Sequence, residues 1–200
     1  MRDKIIEKST EMFLLKGSKG LTMDVIANEM GISKKTIYKY FNSKKGLVKA
    51  GSDYLFLRIS NGINQIMVLD ENPIKELYLI NDFVFKVLKS QKTSPYLQFQ
   101  KYFPKIYQSL ISRQFTDLDR CIIKNLKKGM ERGLYSNEID TQLTSRFFCI
   151  GINNIKDTTI FNPNDFTAFE INEAYLNFYL RAICTQKGLD FLNNFKKPGK

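Results

Sequence analysis

The sequence predicts an all-α protein: an N-terminal three-helix helix-turn-helix domain joined by a long helix to a larger helical domain. Three observations carry the helical class. Apolar residues recur at three- and four-residue spacing along most of the chain. Hydroxyl side chains precede those runs and glycines follow them, where helices start and stop. Period-two alternation, Asn-Gly hairpin signals and internal repeats do not occur in the 200 residues.

Element by element, Ile5, Ile6, Met12, Phe13 and Leu14 mark a first helix, stopped by Gly17 and Gly20. Thr22 caps a second, with Asp24 in its first turn to meet the positive end of the helix dipole. Ile26 and Met30 lie one turn apart, and Gly31 closes that helix in the left-handed conformation a tight end needs. Ser33 caps a third helix over Lys34–Tyr40, and Ser43 a fourth that reaches Leu69, where Gly51 and Gly62 give it places to bend. Asp70-Glu71-Asn72-Pro73 is the first clear loop. Further helices are expected over Ile74–Ser90, Ile106–Arg132, Thr141–Ile160, Phe166–Ala182 and Leu189–Phe195. Between Pro95 and Pro104 two prolines break the pattern into a short kinked element rich in aromatic rings. The expected division is 1–48 for the helix-turn-helix domain, 49–196 for the helical domain and 197–200 for a flexible tail.

Composition removes several functions. The chain has no His, so neither a Ser-His-Asp nor a Cys-His nucleophile system can be built. Cys121, Cys149 and Cys184 are too scattered for a zinc site or a Cys-x-x-Cys redox motif, and no metal or other cofactor is expected. Sparse cysteines fit a reducing cytoplasm, where these three read as ordinary packed residues. The most apolar uncharged run, near Phe147–Ile155, is far shorter than the ~20 residues that span a bilayer, so no membrane partner is expected. An enzyme is disfavoured by the missing His and the lack of clustered carboxylates; a lipid-carrier helical protein that merely retains a basic helix-turn-helix is a further alternative.

Charge points to a polyanion. The net charge is +11, and residues 1–50 alone carry +6 of it. From Met30 to Ser52 there is no acid, while Lys34, Lys35, Lys39, Lys44, Lys45 and Lys49 are interleaved with Tyr38, Tyr40 and Phe41. Such a patch suits a nucleic-acid surface, although a merely solubilising basic face has the same composition.

The motif decides between them. Two short helices meet across Gly31-Ile32-Ser33, with the small Ala27 permitting a close crossing. The run Thr22-x-x-x-Ile26-Ala27-x-x-x-Gly31-Ile32-Ser33-x-x-Thr36-Ile37-Tyr38-x-Tyr40-Phe41-x-x-Lys44-x-x-Leu47 resembles the DNA-binding signature of the TetR family of bacterial transcriptional regulators. The resemblance covers the first quarter of the chain; the remainder is similar only in its helical layout. It implies double-stranded DNA as partner, with Ser33 capping the recognition helix and Lys34, Lys35 and Thr36 facing bases. Tyr38, Tyr40, Lys44 and Thr22 would contact phosphates, and Lys39 would add to the same surface. Ile26, Ile37, Phe41 and Leu47 would pack inward. Lys35 stands where the family often has a small residue or Pro, and supplies either a guanine contact or only charge. Lys45-Gly46 replaces the acids common after Lys44.

For the larger domain the resemblance implies an effector pocket and a homodimer. Candidate pocket residues are Phe83, Val87, Phe99, Tyr102, Phe103 and Tyr107, which would admit a small apolar or aromatic molecule; rings at helical spacing serve equally as core. Candidate dimer residues are Phe147, Phe148, Gly151 and Ile155 in one long helix and Tyr175, Phe178 and Tyr179 in the next. The implied function is a ligand-responsive repressor acting as a homodimer on a palindromic operator. An effector-independent architectural DNA-binding protein remains open at this point.

Overall fold

The computed structural model describes residues 1–17, 20–88, 95–155, 157 and 159–195. Among the described residues there are ten helices and no strand. They are α1 (Arg2–Lys16), α2 (Met23–Met30), α3 (Lys34–Tyr38), α4 (Lys44–Val68), α5 (Pro73–Leu88), α6 (Pro95–Tyr102), α7 (Pro104–Glu131), α8 (Thr141–Asn154), α9 (Ala168–Ile183) and α10 (Gln186–Phe195). The expected tail, 197–200, lies outside the described residues, as does the side chain of Tyr96.

The chain divides into two compact units that do not follow the expected boundary at residue 48. One joins Met1–Asn61 to Val87–Gln114; the other joins Gly62–Lys86 to Phe115–Lys200. The first is built on a core of Ile5, Ile6, Met12, Leu21, Met23, Ile26, Ala27, Ile37, Phe41 and Leu47, with Phe13, Met30, Ile32, Ala50 and Tyr54 packed against it. Its α4 approaches α1 closely at Gly51, where a Cβ would meet Thr10 Oγ1 at 2.7 Å. Gly51 is therefore a contact position between helices and not only a weak point in α4. Within the same unit α6 packs on α1, with the Gln98 side chain against Gly17, whose φ of 71° suits glycine.

The second unit has its own core, formed by Ile74, Leu77, Ile122, Leu126, Leu134, Tyr135, Phe148, Leu176, Tyr179, Leu180, Ile183 and Leu192. A polar network lies inside it. Glu76, 1% exposed, accepts from Asn125 Nδ2 at 2.7 Å and from Lys128 Nζ at 2.8 Å. Asn125 also donates to the Pro73 carbonyl at 2.9 Å and accepts from the Tyr135 hydroxyl at 3.1 Å. Lys128 reaches on to Asp70 at 3.0 Å. Burial works against the Lys128 charge, but hydrogen bonds and charge from Glu76 and Asp70 outweigh it and hold its ammonium above the ordinary lysine value. Gly62 faces the ring tip of Phe83, so it too is a close-approach position.

Several boundaries differ from the sequence reading for local reasons. α3 ends at Tyr38 and not Tyr40, because the amides of Tyr40 and Phe41 both turn back to the Ile37 carbonyl, at 3.0 Å each. α8 stops at Asn154 and not Ile160; the side-chain amides of Asn153 and Asn154 take up the Cys149 and Ile150 carbonyls, both at 2.9 Å. α9 starts at Ala168 behind a capping box made by Thr167 and Glu170. The aromatic element between the prolines is a helix of its own, α6, and Pro104 occupies the first position of α7, where its missing N–H costs nothing.

Candidate nucleic-acid interface

The helix-turn-helix assembles from local signals. The Thr22 hydroxyl accepts from the Val25 amide at 3.2 Å and starts α2. Gly31, at φ 63° and ψ 30°, ends it: the Gly31 amide bonds the Asn28 carbonyl at 3.1 Å and the Ile32 amide the Ala27 carbonyl at 3.0 Å. This paired arrangement tucks Ile32 against the unit's core and turns the chain sharply. Ser33 Oγ then accepts from the Thr36 amide at 3.0 Å and starts α3. Ser43 Oγ accepts from the Gly46 amide at 3.1 Å beside the first turn of α4. Capping uses an oxygen lone pair, so the Thr22 O–H keeps its capacity to donate to an anion.

Burial separates two faces. Ile26, Ile37 and Leu47 are 0% exposed and Phe41 5%, which fixes α3 against α2 and the start of α4. All nine sequence-assigned contact residues lie outside this core. Thr22, Ser33, Lys34, Lys35, Tyr38, Lys39 and Tyr40 are exposed; Thr36 and Lys44 are half-buried. Tyr38 and Tyr40 are each 43% exposed, so neither is a core tyrosine. Partial burial pulls the Lys44 ammonium below the ordinary lysine value.

Two features of this surface escaped the sequence. Asp24, in the first turn of α2, holds Lys34 Nζ at 2.7 Å across the turn and raises its pKa chiefly through that hydrogen bond. Lys34 is thus oriented by an acid before any base is present. The second feature is Arg2, whose guanidinium carbon lies 5.4 Å from the centroid of the Phe41 ring. Ten residues separate the first pair and 39 the second in the chain; neither has a local signature.

The other assigned residues fare unevenly. Phe99 stands 6.2 Å from Phe103 and 6.0 Å from Tyr107, a stripe one helical turn apart at each step across the α6–α7 junction. Tyr102 is 43% exposed, with Lys101 Nζ 5.9 Å from its ring centroid, so it does not share that stripe. Val87 is buried, while Phe83 belongs to the other compact unit and packs on Gly62. Of the seven dimer residues, Phe148, Ile155 and Tyr179 are buried within their own chain. The space beside Gly151 is taken up within the chain by the Tyr175 ring, whose hydroxyl donates to the Phe147 and Phe148 carbonyls at 3.1 and 3.0 Å. Phe147 and Phe178 remain outward, 66% and 72% exposed. Leu143 and Ile150 share the Phe147 face of α8 at 52% and 56%, and were missed because every apolar residue in that helix looks alike in sequence.

Burial pushes the Cys121 and Cys149 thiols up to about 12 and Cys184 up to about 11. No helix among the described residues is long and apolar enough to cross a membrane.

A basic, exposed helix-turn-helix on an all-helical chain defines a DNA-binding transcriptional regulator. The family model described as bacterial regulatory proteins, tetR family, matches residues 5–50. The biofilm operon icaADBC HTH-type negative transcriptional regulator IcaR of Staphylococcus aureus is 31% identical over 137 residues, 64% of this chain and 68% of that protein. The chain belongs to the TetR family, whose members are transcriptional regulators and not enzymes. The fold agrees with solved structures. The reduced form of NemR from E. coli superposes with a TM-score of 0.72 at 13% identity, covering 92% of this chain and 97% of that one. The regulatory protein TetR from Rhodobacter sphaeroides gives 0.71 at 14% identity over 90% and 97%.

Proposed function

We propose that this chain is a repressor that binds a palindromic duplex site as a homodimer and releases it when a small apolar or aromatic molecule binds. The observation that carries the DNA half is the exposed face bearing Thr22, Lys34, Lys35, Thr36, Tyr38, Tyr40 and Lys44 over a closed core. Repression is favoured by the likeness to a negative transcriptional regulator. A cytoplasmic site of action follows from the DNA partner. Selection of bound duplexes from a random pool tests the reading. Tyr38→Ala and Lys44→Ala should weaken binding to every sequence, and Lys34→Ala should also relax base preference. Unchanged affinity in both of the first two variants, or equal competition by random DNA, would defeat sequence-specific regulation and leave the architectural alternative.

Dimerisation is supported by the unpartnered apolar face of Leu143, Phe147 and Ile150 on α8 and by Phe178 on α9. Two recognition helices must lie ~34–36 Å apart, or a multiple of that, to enter successive major grooves. Effector binding is supported by the Phe99–Phe103–Tyr107 stripe, close in sequence to Lys101 and Lys105, which also suits a weakly anionic aromatic ligand. The ligand acts by preferring the dimer state whose recognition helices are misspaced; a coupling of about 1–3 kcal/mol weakens operator binding roughly 5- to 150-fold. A ligand that shifts both melting and DNA affinity supports this half.

A further inference from the structure

The geometry points to Arg2 as an additional DNA-backbone contact, positioned by Phe41, and this deepens the DNA-binding reading on which it rests. Arg2 is the first residue of α1, far in sequence from the helix-turn-helix, yet its guanidinium lies over the face of Phe41, 5.4 Å from the ring centroid. Phe41 directly follows Tyr40 and precedes Ser43 and Lys44. Its backbone amide is tied to the Ile37 carbonyl at 3.0 Å and its ring is 5% exposed, so the platform under Arg2 is fixed to the end of the recognition element. The cation is thus tied to a residue that directly follows Tyr40 and lies three positions before Lys44, two of the expected phosphate contacts.

The side chain is suited to an anion. It is 55% exposed, and its ion-pair partner Asp3, at 3.6 Å and 95% exposed, holds it only weakly. A guanidinium resting on a ring loses little hydration and keeps donors free for a phosphate, to which arginine can donate in bidentate fashion. Stacking on Phe41 also removes much of the freedom an exposed arginine otherwise has, so less entropy is lost on contact. Arg2 belongs to α1 and not to the recognition helix, which assigns it to the backbone, where it adds affinity without reading sequence.

The experiment measures the salt dependence of binding to a mixed-sequence duplex long enough for two half-sites, using the full chain, its Arg2→Gln variant and its Arg2→Lys variant. Fluorescence anisotropy gives the affinity, and circular dichroism at each salt concentration checks that the variants stay folded. Arg2→Gln should lower the slope of log affinity against log salt by about 0.9 per DNA-facing subunit. Between about 50 and 200 mM salt the variant should then lose about 3.5-fold less affinity per subunit than the parent. Arg2→Lys, which keeps the charge, should retain the parent slope. A parent that binds with a normal slope while Arg2→Gln shares it overturns the role of Arg2 alone. A parent with no salt-dependent binding to any duplex overturns the DNA-binding reading and Arg2 with it.

Discussion

Replacing Lys128 by Met should expose what the buried polar network inside the second unit contributes. Glu76 is 1% exposed, and its two carboxylate oxygens are met by Asn125 and Lys128 at 2.7 and 2.8 Å. Lys128→Met leaves a desolvated carboxylate with a single side-chain donor, and breaking a buried pair in this way costs about 3–5 kcal/mol. In a chain of this size 1 kcal/mol moves the melting temperature by about 2–4 °C, so the expected loss is roughly 6–20 °C. The double variant Glu76→Gln, Lys128→Met removes the orphaned charge and should melt well above Lys128→Met alone. Asp70→Asn should matter far less, because that carboxylate is 73% exposed. Melting followed by circular dichroism at one fixed protein concentration is the assay, since any assembly makes the midpoint concentration-dependent. A loss under about 1 kcal/mol in Lys128→Met, or a double variant no more stable than the single, would refute the reasoning. The pH dependence has a definite sign: a lysine pKa raised by folding stabilises below the ordinary lysine value and is lost as pH rises through the raised one. The network should therefore hold across neutral pH and weaken only in strongly alkaline solution.

Asp24→Asn should free Lys34 and remove an acid from the DNA-facing surface, raising affinity most at low salt; anisotropy titrations of the variant check it. Gly51→Ala should destabilise by about 1–3 kcal/mol, because its Cβ would meet Thr10 Oγ1 at 2.7 Å, and Thr10→Ala in the same chain should recover part of the loss in a urea titration. Phe178→Glu should give monomers by light scattering while helix content is kept, since that ring is 72% exposed in the single chain. Asp53 should add to acid sensitivity. Burial raises its carboxyl, but hydrogen bonds and charge from Lys49 and Arg113 outweigh this and hold it below the ordinary value. That stability is present above the ordinary carboxylate range and lost as pH falls through the depressed one, so Asp53→Asn should flatten the acid limb of a pH–melting curve.

The helix-turn-helix was legible because its determinants are local. Thr22, Ser33 and Ser43 each cap the amide three residues on, Gly31 sets one dihedral pair, and Ile26, Ile37, Phe41 and Leu47 are apolar positions of a motif at fixed spacing. Whatever depends on a distant partner was not. Gly51 and Gly62 looked like bends in α4, because Thr10 and Phe83, which fill the space beside them, lie 41 and 21 residues away. Phe148 and Tyr179 were grouped with Phe147 and Phe178, since periodicity gives the apolar residues of a helix without saying which face its own domain consumes. Arg2 beside Phe41, and Glu76 beside Lys128, are pairs of unremarkable residues until the fold joins them.

The DNA-binding unit is not a contiguous piece of chain: residues 87–114 close it from the far side of a segment that belongs elsewhere. Its internal ties cross that break, through Gln98 against Gly17 and through Arg113, which reaches Asp53 at 2.8 Å and rests 4.7 Å from the Phe56 ring centroid. A hybrid regulator made by joining residues 1–48 to a foreign partner would strip Gln98 from Gly17 on α1 and would leave Asp53, Phe56 and Arg113 behind altogether. Recombination that exchanged only 22–47 would keep them, because the graft carries Ile26, Ile37, Phe41 and Leu47 as its own buried side and meets the host mainly through α1. The smaller exchange is therefore the one that carries its own packing, whereas residues 1–48 leave part of theirs behind in 87–114.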